Sequence, residues 1–316
     1  MTATEEPAGK AGDGGGGIAT SPGTNAGLDG KAQAGPPRAA AASPLKNEPG
    51  AAYRARKRDF LGIGLSSITD NDFLDAVRHA VQTRSRLAVS FINPDYVLRG
   101  HKTAGLVEKM NQFDIVLPDG WGIVYGARWL GHPVPGRQGN GDLCPKIFAL
   151  SAEHSFANFL FGCAEGVAER AAANAKETFP GLPIAGTLHG HWDVVRGHPG
   201  RYRDADVNMM VDMINASNAD IIHVSIPTPM QQEWVWRVAD RLNVPVIVTG
   251  GSYLDHLSEA VYWYPEWMHK MRLCWLYRLS REPRRLWKRY SLDLMAFGAM
   301  VLKAKVTRRY AGSRNT

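Results

Sequence analysis

Cysteine is scarce: Cys144, Cys163 and Cys274, widely spaced, are all that occur in 316 residues. Such usage supports neither a disulfide framework nor a metal-binding Cys pair, and a reducing compartment is expected. Long apolar runs are missing too. The best candidate, Leu294 to Leu302, is nine uncharged residues between Asp293 and Lys303, far short of the roughly 20 that span a bilayer. The first residues are acidic and Gly-rich rather than basic then apolar, so no signal peptide is read. The ten histidines make no H-E-x-x-H or other ligand spacing. His189, His191 and His198 surround one loop and read equally well as surface polar residues. No G-x-S-x-G elbow, Walker loop or G-x-G-x-x-G fingerprint occurs either.

What is present is globular in character, with 44% apolar and 21% charged residues and enough length for one or two domains. The net charge of +7 is unevenly placed. From Tyr262 onward 13 Lys and Arg face three acids, Glu266, Glu282 and Asp293, which leaves the rest of the chain mildly acidic. A basic tail on such a body suggests a partner that carries phosphate.

Residues 1–55 are rich in Ala, Gly and Pro and poor in large apolar side chains. They bury too little to offset the entropy of ordering and are expected to be a disordered tail. Over 56–261 strand and helix patterns alternate. Thr69-Asp70-Asn71-Asp72 reads as a cap before a helix, and strands are predicted at 87–92, 114–117, 156–161, 183–187, 220–226 and 244–248. That alternation predicts an α/β fold, a doubly wound and largely parallel sheet with helices on both faces. Over 262–316 tryptophans and arginines interleave and a weakly amphipathic helix follows. The expectation there is a basic helical appendage lying on a membrane.

Several strand ends carry chemistry. The run Asp114-Ile115-Val116-Leu117 stops at Pro118-Asp119-Gly120, placing Asp119 just past the carboxyl end of a strand, where open α/β sheets bind ligands. Asp119 there could take a proton, hold a sugar hydroxyl or cap the next helix. Asn93 ends the neighbouring run and could share its pocket or simply form an Asx turn before Pro94. Gly162 and Gly166 frame a strand-to-helix turn that would let backbone approach a diphosphate, or serve turn geometry alone. Gln231 opens a helix after Pro227-Thr228-Pro229 and could reach a base or ribose, or be an ordinary first-turn residue. Arginines of the tail from Tyr277 to Tyr290 could clamp a diphosphate, and equally could lie on anionic lipid.

Taken in order, these motifs resemble the WecG/TagA/CpsF family of bacterial glycosyltransferases (glycosyltransferase family 26). The likeness runs from about Phe60 to Tyr290. It rests on the Asn93 strand end, Pro118-Asp119-Gly120, Arg137 to Asp142, the Gly162/Gly166 turn, Phe179 to Leu182 with Gly190, Pro229 and Gln231, Gly250 to Asp255, and Trp275 through Arg289. It implies inverting transfer of a sugar from a nucleotide donor, usually a UDP-sugar, to a sugar on polyprenyl diphosphate in making surface polysaccharides or exopolysaccharide. The work would be done at the cytoplasmic face of the membrane. Asp119 would be the general base, with Asn93, Arg137, Asp142, Gly162, Gly166, Gln231 and Asp255 around the substrates. Arg278, Arg284 and Arg289 of the appendage would complete the site without a metal or other cofactor, and a homo-oligomer is left open.

The chain departs from the family pattern at Phe91 (usually Thr), Asn140 (Gly), Gln231-Gln232 (Gln-Glu), Trp263-Tyr264-Pro265 (Arg-Ala-Pro) and Cys274 (Glu). Two rivals are therefore carried. A nucleotide-sugar-binding protein without turnover would keep the pocket, and a nucleic-acid binder would use the basic tail. The tail's tryptophans suit a bilayer interface better than a groove, so nucleic acid is not expected as a partner.

Overall fold

Burial on both faces explains why the chain's most continuous apolar runs become strands. In the computed structural model, which describes residues 48–192, 201–262, 267–268, 271, 274–281 and 283–313, all six predicted strands form one sheet. They are β1 (Leu87–Ile92), β2 (Ile115–Pro118), β3 (Asn158–Gly162), β4 (Ile184–Leu188), β5 (Ile221–Ser225) and β6 (Val246–Thr249). Their order is β2-β1-β6-β5-β3-β4, with every neighbouring pair parallel. Successive residues of a strand alternate between faces, so one strand feeds two cores. Leu87, Val89 and Phe91 pack with α1 (Asp70–Gln82), while Ala88 and Ile92 pack with α2 (Pro94–Lys102) and α3 (Trp121–Trp129). The first face also receives α4 (Asn140–His154), α5 (Val167–Thr178) and, beyond β6, α8 (Tyr253–Leu257). The second receives α6 (Asp204–Ala216) and α7 (Met230–Val238). The result is the doubly wound α/β architecture expected from the alternation.

The predicted cap of α1 is a capping box. Thr69 Oγ1 accepts from the Asp72 amide at 3.2 Å and Asp72 Oδ2 accepts from the Thr69 amide at 2.9 Å. Three features were not expected. Residues Glu48–Ala55, placed by composition at the end of the tail, form a helix whose Arg54 pairs with buried Asp114. Arg58–Phe60 and Ile63–Leu65 make a small antiparallel hairpin. Asn93-Pro94 ends β1 as expected and also opens α2. The expectation of disorder for residues 1–47 lies outside the described residues.

In the C-terminal region α9 (Cys274–Arg281) and a short helix at Pro283–Lys288 lead through a π-helical turn into α10 (Leu294–Ser313). Helix α10 belongs to the second core, where Phe297 and Val301 are buried. It approaches α3 closely because Gly122 and Gly126 leave room. A Cβ on Gly126 would stand 3.3 Å from Val301 Cγ2 and 3.4 Å from Phe297 Cζ. Among the described residues no helix is long and apolar enough to cross a membrane.

Candidate active site

A parallel sheet sends the carboxyl ends of its strands to one edge, and a cleft of about 870 Å³ opens there. Its walls come from the ends of β1, β2, β3, β5 and β6. Asn93, Asp119, Arg137, Gln231, Asp255 and Arg278 all line it, so six predicted residues separated by up to 185 positions meet in one space.

The Asp119 amide donates to the Ile92 carbonyl at 2.7 Å, which locks the end of β2 to the end of β1 and sets Asp119 beside Asn93. Asn93 does two things. Its Oδ1 accepts from the Tyr96 amide at 3.0 Å, capping α2, and the residue still forms cleft wall. The loop before α4 brings Arg137 across from Asp119, with Nη1 3.5 Å from Asp119 Oδ1. Asp142 fixes the other end of that guanidinium, 2.6 Å from Nη2, and accepts from the Gly139 amide at 3.2 Å. Asp142, expected among the substrate-binding residues, is therefore off the cleft wall and stands behind Arg137. Gly139 is the piece that sequence reading missed. A Cβ there would overlap Asp119 Oδ1 and come within 2.9 Å of Arg137 Nη1, so only glycine lets the loop lie this close to the carboxylate.

Gly162 and Gly166 are also off the wall; Cys163 and Ala164 between them are on it. Gly162 has φ +135°, and a Cβ on it would run into the Ser225 backbone. Its role is to let β3 and β5 close up so that the turn enters the cleft. Burial, reinforced by the Asp255 carboxylate beside it, pushes the Cys163 thiol well above its ordinary pKa. Gln231 is pinned at both ends of its amide, by the Gly251 amide at 3.1 Å and Thr228 Oγ1 at 3.2 Å. Its neighbours diverge: Gln232 is fully buried with no hydrogen bond to its amide among the described residues, and Glu233 pairs with Lys109 outside the cleft. At the floor Thr249 Oγ1 donates to Ser90 Oγ at 3.1 Å, and Tyr96 sits beside Ser90, its hydroxyl kept protonated by burial. No motif announced that layer.

From the appendage, α9 brings Arg278 to the cleft, while Cys274 one turn earlier lies near Arg137 and Asp142. Arg284 is exposed and away from the wall. The side chain of Arg289 and the segment Trp263-Tyr264-Pro265 lie outside the described residues. Among the described residues no group of three or more His, Cys, Asp or Glu could hold a metal ion.

The model of the glycosyl transferase WecG/TagA/CpsF family matches residues 58–311, from the hairpin to within α10. The chain belongs to this family. Relatives of the WecG/TagA/CpsF chain include an N-acetylglucosaminyldiphosphoundecaprenol N-acetyl-beta-D-mannosaminyltransferase of Bacillus subtilis (strain 168), 23% identical over 238 residues, or 75% of this chain and 87% of the relative. An enzyme of the same name from Bacillus spizizenii (strain ATCC 23059 / NRRL B-14472 / W23) is 26% identical over 211 residues, 67% and 77% of the two chains. Another from Staphylococcus aureus (strain MW2) is 22% identical over 252 residues, 79% and 94%. The WecG/TagA/CpsF match takes in every cleft residue named above, Arg278 of α9 included.

Proposed function

We propose that the protein transfers a sugar, with inversion, from a UDP-sugar to a sugar carried on polyprenyl diphosphate, in the assembly of a bacterial surface polysaccharide or exopolysaccharide. The observation that carries this reading is Asp119 at the cleft wall, 3.5 Å from an arginine that a second carboxylate holds in place. Asp119 takes the proton of the acceptor hydroxyl as that oxygen attacks the anomeric carbon. The bond from that carbon to the diphosphate breaks on the opposite face, and the nucleoside diphosphate leaves with the electron pair. Arg137 and Arg278 face the charge that develops on it, doing with guanidinium groups what a metal does elsewhere. The acceptor is membrane-borne, and the basic C-terminal region meets the cytoplasmic face of the bilayer.

Membranes bearing lipid-linked sugars, incubated with a panel of radiolabelled UDP-sugars, test the reading directly. Label from one donor should enter the organic phase with inverted anomeric configuration. Asp119→Ala should fold and bind that donor but transfer it about 10²–10⁴-fold more slowly. Donor binding by the wild type with no transfer to any lipid acceptor would make the protein a nucleotide-sugar binder, and near-normal turnover by Asp119→Ala would remove Asp119 from the chemistry.

A further inference from the structure

Helix α3 begins two residues beyond Asp119 and carries Trp121, Tyr125 and Trp129. Residues four apart share a helix face, so the three rings form one stripe leading away from the cleft mouth over about 12 Å. Trp121 is half-buried against the second core, and beyond it the stripe turns outward. Tyr125 and Trp129 are 52% and 49% exposed, and the Trp121 and Tyr125 rings stack with centroids 5.6 Å apart. Helix α10 runs beside it in the same direction, with Leu294 near Gly122, Val301 near Gly126 and Lys305 Nζ 2.6 Å from the Trp129 carbonyl. Beside that contact α10 has open space at Gly298, where an added Cβ would meet nothing within 4 Å, and it exposes Leu302 and Met295. Neither α3 nor α10 contains a single Asp or Glu, whereas Arg128, Lys303 and Lys305 punctuate them. Contiguous exposed apolar surface of this kind marks a binding face rather than scattered solvent exposure.

Resting on the reading of the acceptor as a polyprenyl-diphosphate-linked sugar, we propose that the stripe and the adjoining face of α10 seat the first isoprene units of the acceptor lipid. The occupant follows from three features together. The stripe starts where the acceptor hydroxyl must meet Asp119, it is apolar along its length, and the two helices beside it hold basic residues and no acids, as suits a lipid whose head is a diphosphate. Amphipathic Trp and Tyr rings are suited to the boundary between such a head and its tail. In this arrangement the sugar lies in the cleft and the chain leaves along α3.

The test uses the full-length protein and its Tyr125→Ser/Trp129→Ser double variant, both sites being solvent-exposed. Two acceptors in detergent solution are compared, one sugar diphosphate on a long polyprenyl chain and the same head on a single isoprene unit. The wild type should favour the long chain. The variant should raise KM for it by about tenfold or more, the size expected when aromatic anchors are lost, with kcat held and the short acceptor used as before. An unchanged long-to-short preference in the variant overturns the proposal, as does an equal loss on both acceptors. Binding of a sugar-free polyprenyl phosphate, measured by calorimetry, reads the stripe without any transfer. A wild type that binds this lipid more tightly than the variant but glycosylates neither acceptor would retain the seat and discard the transfer reading. Loss of sedimentation with acceptor-free anionic vesicles, without loss of lipid preference in detergent, would make the stripe a bilayer contact and overturn the proposal.

Discussion

Gly139→Ala isolates the geometry of the site from its chemistry. The backbone at Gly139 has φ −100° and ψ 165°, extended values that alanine adopts freely. The new methyl would nevertheless overlap Asp119 Oδ1 and stand 2.9 Å from Arg137 Nη1. Both neighbours are ends of side chains, so the fold survives and the carboxylate yields, by about 1 Å before ordinary contact is restored. A displacement of that size at a reacting group costs about 10²-fold in rate. Stability should change by less than about 1 kcal/mol, because the lost unfolded-state freedom of glycine offsets the crowding. The assay pairs a thermal melt with initial rates of radiolabel transfer at saturating donor. The expected result is an unchanged melt, donor KM close to wild type and kcat down about a hundredfold. In an Asp119→Ala background the same substitution should cost almost nothing further, since the two act through one group. Full activity in a folded Gly139→Ala protein, or additive losses in the double variant, would refute the assignment of that carboxylate.

Other consequences concern the frame that holds the site. Gly162→Ala should destabilise by at least about 2 kcal/mol, since φ +135° and the Ser225 backbone both oppose a side chain there; an unchanged urea midpoint would show that β3 and β5 can separate freely. Phe297→Ala should cost about 3–5 kcal/mol and make α10 sensitive to limited proteolysis, as Phe297 is 3% exposed in the groove over Gly126. Burial lowers the His223 pKa to about 3, so its imidazole stays neutral in the native state while the unfolded chain takes up a proton near pH 6.5. The sign follows from proton uptake by the unfolded state alone: stability is full above pH 6.5 and falls as pH drops toward 3. By pH 5 the loss from this residue should be about 2 kcal/mol. His223→Gln should remove that part of the slope between urea melts at pH 7.5 and pH 5, and a slope identical to wild type would contradict it.

Much of the architecture was legible because it follows from period and punctuation. Six apolar runs bounded by Pro, Gly and Asn became six strands, with ends shifted by no more than two residues. Asp119 was legible for the same reason, since a strand stopped by Pro118 must deliver the next polar residue to the sheet's edge. The Asn93-Pro94 signal was read too narrowly: an Asx residue followed by proline both stops a strand and starts a helix, and the structure uses it for both. The Gly122/Gly126 pair stayed invisible because small residues at helical spacing acquire meaning only when another helix arrives, and that helix lies some 170 residues downstream. Gly139 is harder still. Its constraint comes from a side chain 20 positions away on another element, so no local pattern distinguishes it from the glycines at positions 136 and 141 in the same loop.

The departures from the family pattern need the same three-dimensional reading. Each step along a helix turns about 100°, so displacing an acid by one position changes what it faces rather than weakening the same contact. At the start of α7, Gln231 keeps the cleft, Gln232 enters the core and Glu233 turns to Lys109. The acid expected after Gln231 thus performs no work in the cleft of this chain. Among the described residues the acids left on its wall are Asp95, Asp119 and Asp255. Asp95 is engaged by Arg99 at 3.0 Å along α2, and Asp255 lies with the Cys163 thiol on the side of the glycine turn. Asp119, by contrast, faces a guanidinium held from behind by a second carboxylate. Under the proposed mechanism the loss of one acid therefore leaves the proton transfer to Asp119, and the substitutions at Phe91 and Asn140 on the cleft wall and at Cys274 beside Arg137 and Asp142 fall where they would shape the sugars that reach it rather than the step that joins them.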